Sequence, residues 1–300
     1  MNTVVHRTVR KKQTLGDRIF SGLNYAFMIL LCASMVYPFL FIILSSVSTY
    51  DMSAGGFSLV PRGFTWDYYG RVLTNPDIFT GYVNTLIRTL LGTFFSVVVT
   101  LCMAYPLSKR TFPNRTGWTA LVVFTMFFSG GIIPTYLLVK SLGLMDTLGS
   151  LILPELVSAF NLIIVRNYMQ TVPESLEESA KMDGANDVTI LFRIILPVCA
   201  PIIATITLWV AVWHWNAWYD AMVYISSPGN QVIQLIMRRI VIQGSDALTQ
   251  MMDSSMSQNH ISPEGLKAAT IMVTTLPILC AYPFVQKYFV KGILVGSLKG

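Results

Sequence analysis

Charged side chains are scarce in this 300-residue chain. They make up 12% of it, against about 25% in a soluble domain, which excludes an ordinary soluble globule. With 53% hydrophobic residues and a mean hydropathy of +0.58, the chain is too apolar to stay disordered. Cysteine is sparse as well. Cys32, Cys102, Cys199 and Cys280 form no C-x-x-C pair, so neither a disulfide framework nor a zinc site is expected, and all four read as small apolar packing residues. No G-x-x-x-x-G-K-S/T loop is present to cradle ATP phosphates, and there is no H-E-x-x-H or G-x-S-x-G motif. His6, His214 and His260 are scattered. No catalytic activity, metal or cofactor is therefore expected in this chain. The short alternating segments of an outer-membrane barrel are missing too.

What the chain does have is long apolar runs. Six are expected to form membrane-spanning helices, at about 19–48, 82–107, 117–140, 149–168, 198–225 and 267–289, each near the twenty residues needed to cross the bilayer. The expected fold class is thus an all-α membrane protein. A basic start followed by a long apolar run without a small-residue cleavage site reads as an uncleaved first span. The net charge of +6 sits beside these runs, so it reports topology and not a nucleic-acid partner. Arg7, Arg10, Lys11, Lys12, Arg18, Lys109, Arg110, Arg115, Arg166, Lys181, Arg193, Lys287, Lys291 and Lys299 fall on one side. Arg62, Arg71, Lys140, Arg238, Arg239 and Lys267 fall on the other. The first, richer side is assigned to the cytoplasm, with both termini there. Two long outer loops, about 49–81 and 226–266, have a length that suggests a role or a partner; the second carries the polar run from Asp253 to His260. The layout is a cytoplasmic segment 1–18, a membrane domain 19–290 with a cytoplasmic loop 171–197, and a tail 291–300.

The loop between the fourth and fifth spans is the most informative stretch. Thr171 and Glu174 have capping-box spacing, and Pro173 suits a first helical turn. Glu174, Glu177 and Glu178 lie near the positive helix end. Gly184 breaks the helix, and Asn186 or Asp187 can cap the next one. So polar and acidic a helix suits docking a partner; the bland alternative is a helix lying on the membrane surface, which usually favours Lys and Arg.

Glu178-Ser-Ala180, three residues, Gly184, nine residues, then Ile194-Ile-Leu-Pro197 resembles the EAA signature of ATP-binding-cassette importer permeases, with Ser179 where that family often has Ala. Asn84-Thr-Leu, Phe128-Ser-Gly-Gly-Ile-Ile-Pro-Thr-Tyr136, Lys140-Ser-Leu-Gly-Leu144, Leu153-Pro154, Arg166-Asn167, Trp213-His-Trp-Asn216 and the tail from Lys287 to Gly300 are similar to maltose-type sugar permeases. The branch that handles oligosaccharides released from polysaccharides is the most similar. The resemblance covers roughly 15–300 and implies a type I importer permease fold in a bacterial cell membrane. It implies several partners: a second homologous permease, two ATP-binding subunits that hold ATP and Mg, an extracytoplasmic solute-binding protein, and a sugar or oligosaccharide cargo. It also implies that Glu178, Ala180, Asp183, Gly184 and Glu177 dock the ATPase, with Glu174 and Glu177 alternatively solvated capping charges. The tail, with Gly292, Gly296 and Gly300, would either extend between the ATPases or fray.

A sugar pathway needs aromatic faces and hydrogen-bonding groups. Trp209, Trp213, Asn216 and Asp220 are spaced to share one helical face, as pathway lining or as an interfacial aromatic belt. Asn84 and Arg88 lie one turn apart. Arg88 either snorkels or faces the pathway and helps pass an acidic sugar. Gly130-Gly131-Ile-Ile-Pro134 is expected to break the third span. The competing readings are an importer of another solute and an ion-coupled transporter. The latter would need paired intramembrane carboxylates, and only Glu155 and Asp220 lie at suitable depth.

Overall fold

The computed structural model describes residues 14–49, 52, 60, 61, 63–243 and 262–297, with side chains described up to 280. The basic residues before Thr14, Arg62, the Asp253–His260 run and Gly300 lie outside the described residues.

Helix α1, Leu15–Ser46, starts at a capping box in which Thr14 and Asp17 satisfy each other's backbone N–H groups. It is apolar on every side, yet buries only Ser45 and Ser46. Such a helix faces lipid or another chain. The short amphipathic α2, Asp67–Thr74, turns Tyr68 and Val72 inward. Helix α3, Pro76–Ser108, is the longest internal helix. Asn75 caps it by accepting from the amides of Asp77 and Ile78, and Pro76 sits in its first turn. Its buried stripe runs through Gly81, Asn84, Thr85, Arg88, Gly92, Ser96, Thr100 and Ala104. Small side chains at this spacing let helices approach closely in a membrane.

The third expected span is a broken one. Helix α4, Arg115–Phe127, and α5, Ile132–Ser141, meet at 111°, with Gly131 at φ +81° in the break, where glycine costs least. The fourth expected span is not a continuous helix. A 3-10 turn, Leu148–Leu151, is followed by non-helical residues, and helix resumes only as α6, Ala159–Met169, capped by Ser158. Pro154 interrupts the run, and α6 alone is about 17 Å long, short of the hydrocarbon thickness.

Beyond it come α7, Glu174–Met182, and α8, Asp187–Ile190. A π-helical turn over Leu191–Ile195 leads into α9, Leu196–Val198, and then α10, Ala200–Asn216. Pro197 has no N–H for the Arg193 carbonyl, and the helix widens just before it, with the Leu196 amide bonded to Leu191 O. An 85° bend at Cys199 then sets α10 on a new axis. The expected single helix 198–225 ends at Asn216. It restarts as α11, Tyr219–Tyr224, before α12, Ile233–Gln243, and α13, Pro263–Ser297. Gly292 and Gly296 are thus helical and not part of an extended tail. Among the described residues, α1 and α3 are long and apolar enough to cross a membrane, and each bent pair adds one if counted as a span.

Helix α3 is the hub: α10, α6 and α12 pack on it, while α13 packs on α1, α2, α10 and α12. One buried cluster joins α3 to α6, α7 and α8 through Ala104, Leu162, Val165, Ala180, Ile190 and Ile195. A second, at the other end of α3, holds Tyr68, Val72, Ile78, Ile233, Ile236 and Leu266.

Candidate functional site: a rigid turn and a buried ion pair

Helix α7 begins at Pro173, which occupies the N-cap position without a side-chain cap. The expected Thr171–Glu174 capping box does not form. Only a few residues separate α6 from α7, and the Thr171 hydroxyl donates back to Tyr168 O at 2.8 Å, finishing α6 instead. The far end of α7 is tightly specified. Gly184 adopts φ +83°; its amide bonds Lys181 O at 3.0 Å and the Ala185 amide bonds Ala180 O at 2.9 Å. That pair of bonds is a Schellman cap, which needs a left-handed residue at Gly184. Asn186 then caps α8 by accepting from the Thr189 amide at 2.8 Å. Helix, glycine turn and helix are therefore fixed relative to each other.

The five expected docking residues divide. Glu178 and Asp183 are exposed, beside Met182 at 88% exposure. An apolar side chain so bare at a fixed turn is suited to a partner surface, and sequence reasoning missed Met182 because it stands alone between charges. Gly184 shapes the turn. Ala180 is buried in this chain's own core, so its small size serves internal packing. Glu177 is not a solvated capping charge: its carboxylate accepts from the ammonium of Lys109, the C-cap residue of α3. Burial pulls Lys109 below the usual lysine range. Between α7 and the C-terminal end of α3 lies a cleft of about 830 Å³, lined by Tyr105, Lys109, Arg115, Glu177, Glu178 and Lys181 among others.

The expected pathway residues are rearranged. Arg88 is fully buried. It donates to Ala217 O at 3.0 Å and pairs with the Asp220 carboxylate. It therefore neither snorkels nor presents a free cation to a cargo. Asp220, which the sequence leaves without a partner, has this one. Asp220 also leaves the face it was assigned to, because α10 ends at Asn216 and the chain turns before α11. Asn84 is equally structural, donating to Gly229 O at 2.8 Å and Gln231 O at 2.9 Å. Trp209, Trp213 and Asn216 do share one face of α10 and remain accessible. Trp209 stacks on Phe160 at 6.3 Å, the Arg88 guanidinium lies 5.7 Å from the Trp213 ring, and the Asn216 amide folds back onto Val212 O.

Asp146, unnoticed in the sequence, ties the turn after α5 to the loop after α11. Its carboxylate accepts from the amides of Ser226 and Ser227, at 3.0 and 2.9 Å, and from the Ser227 hydroxyl. Those bonds, the Ser227 hydroxyl first, hold its pKa below the usual carboxylate value.

Helices long and apolar enough for a bilayer, broken helices beside them, and a rigid exposed polar turn between two of them define a membrane transport component. The chain belongs to the family described as binding-protein-dependent transport system inner membrane component, which matches residues 10–295. It is 43% identical over 288 residues to the polygalacturonan/rhamnogalacturonan transport system permease protein YtcP of Bacillus subtilis (strain 168), covering 95% of this chain and 100% of that one. It is 42% identical to Protein LplC of the same organism, covering 96% and 97%. A solved chain of a bacterial ABC transporter involved in the import of the acidic polysaccharide alginate superposes with a TM-score of 0.86 at 31% identity, covering 93% of this chain and 99% of that one. A chain from a bacterial alginate ABC transporter, in complex with alginate pentasaccharide-bound periplasmic protein, shares the fold with a TM-score of 0.53 at 16% identity, covering 91% and 96%.

Proposed function

We propose that this chain is the permease of an ATP-driven importer for oligosaccharides released from polysaccharides, uronic-acid-containing ones included. A second homologous permease completes the pathway in a bacterial inner or sole plasma membrane. An extracytoplasmic binding protein delivers the cargo, and two ATP-binding subunits, carrying ATP and Mg, dock on the α7–Gly184–α8 turn. The observation that carries the reading is that turn: a Schellman-capped corner presenting Glu178, Met182 and Asp183 outward. The names of the similar permeases support the cargo class. Trp209 and Trp213 offer ring faces to sugar C–H groups, and Asn216 lies beside them. Arg88 is withdrawn from that role, so a cation for an acidic cargo has to come from elsewhere. The ion-coupled alternative is weakened, because Asp220 is already neutralised by Arg88.

The test is a mild-detergent pull-down of the tagged chain beside Glu178→Lys. An ATP-binding subunit and a second permease accompany the wild type, and the variant loses the ATP-binding subunit. A wild-type chain that comes down alone, under conditions preserving other complexes, overturns the reading.

A further inference from the structure

Among the described residues three ion pairs link α7 to its surroundings, and they are not equivalent. Arg110–Glu174 spans 3.5 Å with side chains 84% and 71% exposed, and Lys181–Asp187 spans 3.4 Å with 56% and 71% exposed. Pairs so open to solvent contribute little. In Lys109–Glu177 the side chains are only 23% and 14% exposed. The ammonium lies 4.4 Å from the Tyr105 ring centroid, which shields it further. The same pair spans the cleft of about 830 Å³ that separates α7 from the end of α3. Lys109 is the C-cap of α3 and Glu177 lies in the first turn of α7. The pair thus sits at the negative end of one helix dipole and the positive end of another, with each charge at the favourable end.

The other end of α3 is pinned just as firmly. Asn84 holds Gly229 O and Gln231 O, the Thr85 hydroxyl accepts from the Ile233 amide at 2.9 Å, and Arg88 holds Ala217 O and Asp220. From Asn84 to Lys109 is about 37 Å along an α-helix. One helix therefore joins the loop after α11 to the turn that carries the docking residues.

We propose that Glu177 is a positioning residue: through Lys109 it makes α3 follow α7, so that displacement of the docking turn reaches the Ala217–Ile233 segment through α3. Glu177 then acts within this chain and is not a contact for the ATP-binding subunit. The proposal rests on the importer reading above. A helix with polar attachments at both ends is the kind of contiguous element that coupling between distant sites requires.

The test uses the whole transporter in lipid nanodiscs, with Lys109→Glu, Glu177→Lys and the double swap. Co-purified ATP-binding subunit and ATPase stimulation by the cargo-loaded binding protein are both measured. Each single variant keeps the ATP-binding subunit and loses stimulation by about 2- to 30-fold; the double swap recovers most of it. Should the single variants not accumulate, Lys109→Arg and the neutral pair Lys109→Met with Glu177→Gln give the same comparison without an unpaired charge. The first keeps stimulation and the second loses it. Loss of the ATP-binding subunit from Glu177→Lys overturns the proposal, since Glu177 is then a docking contact. So does unchanged stimulation, or a swap no better than the single variants. A wild-type chain without any ATP-binding subunit overturns the importer reading itself.

Discussion

Arg88 shows how much one side chain's surroundings decide. A lone arginine in a span invites a role in passing an anionic cargo, but complete burial against Asp220 and Ala217 O turns it into a structural tie. Breaking such a pair strands the other charge and costs about 3–5 kcal/mol. Arg88→Gln is therefore expected to reduce uptake of neutral and uronic-acid oligosaccharides equally, by lowering the amount of folded protein. Replacing Arg88 and Asp220 together by Met restores part of the folded yield, read by size-exclusion chromatography in detergent. Selective loss of acidic cargo with normal yield would show that Arg88 meets the sugar after all. Asp146 makes a second prediction at this scale. Its folded-state pKa is held below the usual value, so its contribution to stability is full above the unfolded-state pKa and disappears as pH falls through the folded-state one. The difference in melting temperature between wild type and Asp146→Ala should accordingly be largest at neutral pH and close in acid. A gap independent of pH would mean that the Asp146 bonds to Ser226 and Ser227 do not depend on ionisation.

Elements were legible in the sequence where their signals are local. The glycine corner at Gly184 and the Asn186 cap lie within a few residues of what they terminate, and both were readable. So was the break at Gly130–Pro134. Elements that depend on remote contacts leave no such local signal. Counting a helical face from Trp209 to Asp220 assumes one helix, whereas α10 stops at Asn216 and Asp220 swings to Arg88, 132 residues away. The pairing of Glu177 with Lys109, 68 residues earlier, is likewise invisible to local pattern. The apolar run 149–168 hid Pro154 within a hydropathy average. The contact between α3 and α10 also has a feature that no spacing reveals: a Cβ at Gly92 would lie 2.5 Å from the His214 ring. Gly92→Ala is expected to destabilise by about 1–3 kcal/mol through overpacking, with recovery when His214 is also replaced by Ala. Thermal unfolding of both variants in the same detergent checks this, and an undiminished midpoint for Gly92→Ala alone would show that the two helices separate freely.

For the whole molecule, composition and long apolar runs were enough to place the chain in a membrane, and the signature around Gly184 was enough to place it among binding-protein-dependent transport components. The division of labour among its polar residues was not, because it depends on which side chains meet across the bundle. One arrangement bears on how the protein is made. Helix α1 keeps almost nothing of its own buried and packs on α13, the last helix among the described residues. During synthesis α1 thus waits for all the helices between it and α13 before the surface it leans on exists. A transcript cut short before α13 leaves α1 inserted but unsupported, open to capture by membrane proteases.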